Sequence, residues 1–340
     1  MNKQALIDTA AAMMAPGKGL LAMDESTPTC DKRFAALGIV QSEETRRQYR
    51  ELIITTPDLG QCISGAILCD ETIRQQEKDG TSFVVVLQEA GIIAGIKVDA
   101  GAKPMAGHPG ETYTEGLNGL PARLSEYFKM GARFAKWRAV IAIGDDIPSR
   151  SCIETNASSL AQYAKFCQEA GLVPIVEPEV LMEGAHTMER CCQVTEEVLK
   201  AVFDRLDTEG VMLEGTILKP NMVLPGLTSP EHAALDDIAD ATVKCLLRVV
   251  PTAIAGIAFL SGGQACELAS ARLCAMNLRF RAQLPWPLTF SFARAIQQPA
   301  LEIWLGDDAN IVESQQALLH RARCNGAARC GQYTGAMEKI

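Results

Sequence analysis

Short apolar runs alternate along the chain with longer segments whose apolar residues recur every three or four positions. The runs read as strands at residues 19–23, 62–68, 92–98, 134–141, 173–177, 216–218, 255–260 and 288–291. Between them, helical periodicity marks residues 42–57, 122–130, 157–170, 187–206, 230–249 and 264–278. Further helical patterns precede the first run, over 3–14, and follow the last, over 309–322. Strand and helix alternating this often predict an α/β fold, a (β/α)8 TIM barrel with additional N- and C-terminal helical segments. A doubly wound open sheet gives the same rhythm, but the chain lacks the G-x-G-x-x-G turn that would favour it. No repeat or long Pro/Gly/Ser linker interrupts residues 1–340, so a single catalytic barrel domain is expected, with a short C-terminal tail from about residue 331.

Composition narrows the function. The formal charge of −9 argues against broad binding to nucleic acid or to an anionic membrane. An anionic small molecule remains compatible, because clustered Lys and Arg can reverse the field inside a cleft. Runs such as 139–143 and 253–260 are too short to span a bilayer, and Asp8 interrupts what would be the apolar part of a signal peptide. A cytoplasmic protein is the simplest reading. The 12 cysteines form no C-x-x-C pair and mostly sit in apolar runs, so reduced core thiols are expected. His108, His186, His232 and His320 are isolated in sequence, and no metal or other cofactor site is expected.

The candidate chemistry gathers at the carboxyl ends of the runs, where barrels place their active sites. Asp24 closes the first run. Lys136 and Arg138 lie two apart and so share one face of the fourth. Glu177 and Glu179 flank Pro178 at the end of the fifth. Lys219 ends the sixth, with Pro220 biasing it towards extended geometry. Ser261-Gly262-Gly263 ends the seventh, and Ser291 and Arg294 close the eighth. A desolvated lysine amine can attack a carbonyl and form a Schiff base. Taken singly, each residue has a bland explanation, such as a helix cap or an exposed turn. Six charged or glycine-rich strand ends together do not.

These segments carry a family resemblance. Leu21–Thr27, Gly95–Asp99, Phe134–Arg138, Ile175–Glu179, Leu218–Val223 and Phe259–Gln264 together resemble class I fructose-bisphosphate aldolases over nearly the whole chain. The resemblance implies reversible aldol cleavage of fructose 1,6-bisphosphate into dihydroxyacetone phosphate and glyceraldehyde 3-phosphate, without a cofactor. It also implies a homotetramer. A Schiff-base aldolase acting mainly on another sugar phosphate, such as sedoheptulose 1,7-bisphosphate, is the alternative, and a barrel that has lost its chemistry is the reading from a different class.

Under the resemblance Lys219 forms the imine, an electron sink for the carbanion left by carbon–carbon cleavage. Lys136 across the barrel would lower the proton affinity of Lys219 by like-charge repulsion. Glu177 would give and take protons, tuned by Glu179, and Asp24 would take the substrate hydroxyl proton. One phosphate is expected at Ser261, Gly262, Gly263, Ser291 and Arg294, on backbone N–H groups at a helix start. The other is expected at Arg33, Lys32, Ser26 and Thr29, with Arg33 the principal cation. Two positions depart from the family: Ala100 stands where a phosphate-contacting lysine is usual, with Lys103 as a candidate replacement, and Ala293 stands where many relatives have glycine. The chain also lacks a terminal tyrosine, and Tyr333 is not at the matching place.

Overall fold

All eight apolar runs enter one closed parallel sheet. A computed structural model describes residues 2–339, with strands β1 (Gly19–Ala22), β2 (Ile63–Leu68), β3 (Ile93–Lys97), β4 (Phe134–Ile141), β5 (Val173–Val180), β6 (Ile217–Leu218), β7 (Gly256–Phe259) and β8 (Leu288–Phe292). Each strand pairs with its successor, and β8 returns to β1 through Leu20 opposite Ser291 and Leu21 opposite Phe292. Met1 and Ile340, the ends of the span assigned to the domain, lie outside the described residues.

Strand alternation splits the apolar residues between two cores. Leu20, Ala22, Ile67, Phe134, Val173, Ile175, Ile217 and Ala258 point into the barrel, where Leu6, Ala10, Met13 and Met14 from the first helix region pack against them. Their neighbours Leu21, Leu68, Ile96, Trp137, Val176 and Leu218 join the outer core beneath the surrounding helices. Space inside is rationed by glycine. A Cβ on Gly95 would overlap the Phe134 ring, and one on Gly65 would press against the same ring at 3.1 Å. Gly95→Ala is therefore expected to cost about 1–3 kcal/mol through overpacking, read as a lower urea midpoint at unchanged m-value.

The structure corrects several expected boundaries. β5 continues through Pro178 to Val180 instead of ending at Glu177. β4 stays paired with it through Ala139 opposite Pro178 to Ile141 opposite Val180, whereas β6 pairs with it only at Ile175 and Val176. The N–H of Val180 instead donates to Asn221 Oδ1 at 3.0 Å. Helices Thr27–Ala36, Phe83–Glu89 and Arg294–Trp304 were not expected. The first buries only Cys30 and Phe34 and so shows little apolar period. The second is rich in β-branched valine, yet Ser82 caps it by accepting from the N–H of Val85. The third holds Pro299 in its interior. An antiparallel pair, Ala102–Pro104 with Thr112–Thr114, also branches off after β3.

Candidate active site

The same alternation that fills the barrel carries its charged residues upward into one cleft. Following the inward positions along each strand leads from Leu20 and Ala22 to Asp24, from Phe134 to Lys136 and Arg138, from Ile175 to Glu177 and Glu179, and from Ile217 to Lys219. Lys219 lies one residue beyond β6, but its N–H still donates to the Val176 carbonyl at 2.8 Å, which continues the ladder. These side chains line a cleft of about 620 Å³ at the carboxyl ends of the strands.

At its floor, Glu177 stands between two amines. Its Oε1 is 2.9 Å from Lys219 Nζ, and its Oε2 is 3.2 Å from Lys136 Nζ. Lys136 Nζ also lies 2.8 Å from Asp24 Oδ2 and 3.8 Å from Asp99 Oδ2. Lys136, Glu177 and Lys219 are each 3% exposed or less, so these charges interact in a poorly screened setting. Lys136 was expected to press on Lys219 as a bare like charge. The structure places a carboxylate between them, so that repulsion is offset. Glu177 Oε2, buried and without an aligned hydrogen bond, keeps an open acceptor position. Glu179 is held apart from this group by Arg138, whose Nε donates to its Oε2 at 2.5 Å.

Burial alone would raise the pKa of Asp24 and Glu177, but the positive charges of Lys136 and Lys219 outweigh it and hold both carboxyls below their ordinary range. Burial works against the Lys136 ammonium as well, and Asp24, Glu177 and Asp99 reverse that and keep it charged. Depressed carboxyls contribute stability that is fully present above their unfolded values, 3.8 for Asp24 and 4.5 for Glu177, and is lost as pH falls towards the folded values. The urea midpoint should accordingly drop steeply below about pH 4, and Asp24→Asn should make that drop shallower. Parallel acid profiles for the two proteins would count against this coupling.

The expected phosphate residues also line the cleft, apart from Gly263. Gly262 and Gly263 have φ of +57° and +86°, a region that L side chains rarely adopt, and a Cβ on Gly263 would come within 3.3 Å of Arg294 Nη2. This turn leads into the helix Cys266–Phe280, while Arg294 opens Arg294–Trp304, so two helix starts converge at one corner. Ser291 Oγ is buried there without a partner among the described residues. After the neighbouring β1, Arg33 is tied to Glu25 Oε1 at 2.5 Å, whereas Lys32 has no carboxylate partner among the described residues. Ser26 Oγ and Thr29 Oγ1 lie 3.1 Å apart at the rim.

Lys97, Asp99 and Glu25 were not singled out from the sequence. Lys97 lines the cleft at the end of β3 and pairs with Asp99 Oδ1 at 2.7 Å. Its signal was legible, since it is another charged residue at an inward strand end. Glu25 is buried by pairing with Arg33 and with Arg50 at 2.7 Å, a partner from a distant helix that no local pattern reveals. Lys103 sits exposed on the antiparallel pair, outside the cleft, and so does not replace a lysine at position 100 there. Ala293 lines the cleft and caps the helix Arg294–Trp304. Tyr333 lies elsewhere, its hydroxyl donating to Glu338 Oε1 at 2.7 Å.

Comparison with known proteins gives a consistent result. A family model described as fructose-bisphosphate aldolase class-I matches residues 5–340. A probable fructose-bisphosphate aldolase class 1 of Xanthomonas axonopodis pv. citri is 54% identical over 336 residues, covering 98% of this chain and 100% of that protein. The cytosolic fructose-bisphosphate aldolase 5 of Arabidopsis thaliana is 52% identical over 330 residues, covering 97% of this chain and 92% of the relative. Among solved structures, fructose-bisphosphate aldolase from Plasmodium falciparum, in complex with TRAP and a small-molecule inhibitor, superposes with a TM-score of 0.96 at 44% identity, covering 98% of this chain and 96% of that one.

Proposed function

Because the chain belongs to the class I fructose-bisphosphate aldolases, we propose that its reversible cleavage of fructose 1,6-bisphosphate runs through an imine on Lys219, with Glu177 as the proton carrier. The observation that carries this assignment is the buried contact of 2.9 Å between Lys219 Nζ and Glu177 Oε1. Attack on the ketone requires an amine free of its extra proton, and Glu177 is the acceptor within reach. The carbinolamine then loses its hydroxyl as water when Glu177 returns a proton. The resulting iminium draws in the electron pair of the breaking carbon–carbon bond and becomes an enamine, while glyceraldehyde 3-phosphate departs.

Asp24 takes the hydroxyl proton released in that cleavage. Its contact with Lys136 depresses its basicity in the resting site, so proton transfer requires Lys136 to turn part of its hydrogen bonding to the substrate. Glu179, paired with Arg138, tunes the proton affinity of Glu177, and the cleft-lining Arg138 contacts substrate. The phosphates bind at two groups in the cleft, one at Ser261, Gly262, Gly263, Ser291 and Arg294, the other at Lys32 and Arg33 with Ser26 and Thr29. The span 1–340 acts as one catalytic domain with a tail from about residue 331. Cytoplasmic location is part of the same reading, supported by cytosolic relatives and by the lack, among the described residues, of a helix long and apolar enough to cross a membrane. So is a homotetramer, which rests on the family resemblance and is checked by light scattering.

Borohydride reduction in the presence of dihydroxyacetone phosphate tests the central assignment. Mass spectrometry of the digest should locate one reduced adduct per chain on Lys219. An adduct on Lys136 or Lys97, or none at all, would overturn it.

A further inference from the structure

The barrel end opposite the catalytic cleft carries a second concavity, of about 280 Å³. It lies between the segment entering β1, the segment entering β8 and the last turn of the helix Ile311–Arg329. Its wall contains Arg281, Arg329, Asn277 and Trp286 but no carboxylate. Arg281 is exposed, and an exposed arginine without a partner is ordinary. Arg329 is different. It is half-buried, and among the described residues its side chain makes one hydrogen bond, from Nη2 to the Met14 carbonyl at 3.4 Å, while its Nε is buried with no acceptor. Trp286 Nε1 is a second buried donor without a partner among the described residues.

The fully buried guanidinium groups are paired, Arg46 with Asp31 and Glu71, Arg50 with Glu25, and Arg321 with Glu338. Half-buried Arg272, whose Nε is also unpartnered among the described residues, still has the side-chain oxygen of Gln264 at 2.7 Å. Arg329 has no side-chain acceptor among the described residues. An unpaired charge withdrawn from water is costly, and the cost disappears when an anion is supplied from outside. Burial pushes the Arg329 pKa down, the charge of Arg281 acts in the same direction against the opposing influence of Cys330, and no carboxylate among the described residues pairs with it. We propose that this concavity binds a phosphate-class oxyanion between the guanidinium groups of Arg281 and Arg329. Arginine forks match tetrahedral oxyanions with paired N–H donors, and the space accommodates an orthophosphate or a small phosphate ester. A structural role is the default for this end of a barrel, but structure alone leaves Arg329 without a counter-charge. A bound anion ties the final helix to the segment entering β8.

Equilibrium dialysis of the full chain against labelled orthophosphate, and separately against glycerol phosphate, tests the site. Wild type should bind one equivalent more per chain than either Arg281→Gln or Arg329→Gln. Orthophosphate should also raise the wild-type Tm further than that of the variants. Both variants should cleave fructose 1,6-bisphosphate at the wild-type rate in phosphate-free buffer, because Lys219 lies at the other end of the barrel. Arg281→Gln alters an exposed side chain, so the comparison survives if the Arg329 variant folds poorly. An extra equivalent with orthophosphate alone assigns the site to the free anion, and with both ligands to the phosphate group in general. Equal binding by wild type and Arg281→Gln with both ligands overturns the proposal.

Discussion

Lys219→Met should lower kcat for fructose 1,6-bisphosphate cleavage by roughly a millionfold, the scale seen when a covalent nucleophile is removed. The substitution takes away the amine and leaves a side chain of similar length among buried neighbours. Glu177 keeps a cation at 3.2 Å, because Lys136 Nζ remains beside its second oxygen. The fold should therefore persist, and far-UV circular dichroism should match wild type. Bisphosphate affinity should change little, since the walls that carry Arg294 and Lys32 are untouched. Loss of turnover with retained binding distinguishes a missing nucleophile from a collapsed cleft. A variant retaining even one per cent of wild-type turnover would remove the imine from the mechanism.

Glu177→Gln should reduce kcat by about a hundredfold to ten-thousandfold, the range for losing a positioned acid–base group. Glutamine preserves the shape and can still accept hydrogen bonds from the two amines, but it cannot carry a proton from one step to the next. kcat and kcat/KM should fall together, because the lost interaction belongs to the transition states. Borohydride trapping should slow in proportion, since carbinolamine dehydration lies before the trapped species. Glu179→Gln should be milder, because that carboxylate is engaged by Arg138 and reaches neither lysine. The opposite ranking of the two variants would reverse their assignments.

The barrel was readable because strand alternation is strict wherever both faces of a strand are buried. The period that puts Ile217 inside also puts Lys219 there, and the one that buries Phe134 delivers Lys136. Strand ends were less legible. Pro178 reads as a terminus, but pairing with β4 carries β5 through it to Val180. Phe83–Glu89 contains three consecutive β-favouring valines and is nonetheless a helix, because its packing and the Ser82 cap override that preference. Within the cleft, residue types at strand ends announced themselves, but their pairings did not. The bridge formed by Glu177, the capture of Arg33 by Glu25, and the tie between Glu179 and Arg138 depend on side chains brought together from separate strands and helices.

The helix Lys3–Met13 and Met14 seal the barrel from below with Leu6, Ala10 and Met13. Substrate and both products consequently share a single doorway. Under the proposed imine on Lys219, the aldehyde half, once freed from its bond, has an open path outward, while the three-carbon half stays leashed until water undoes that link. Departure is thereby sequenced by covalency, and the reverse reaction must load its two reactants in the opposite order.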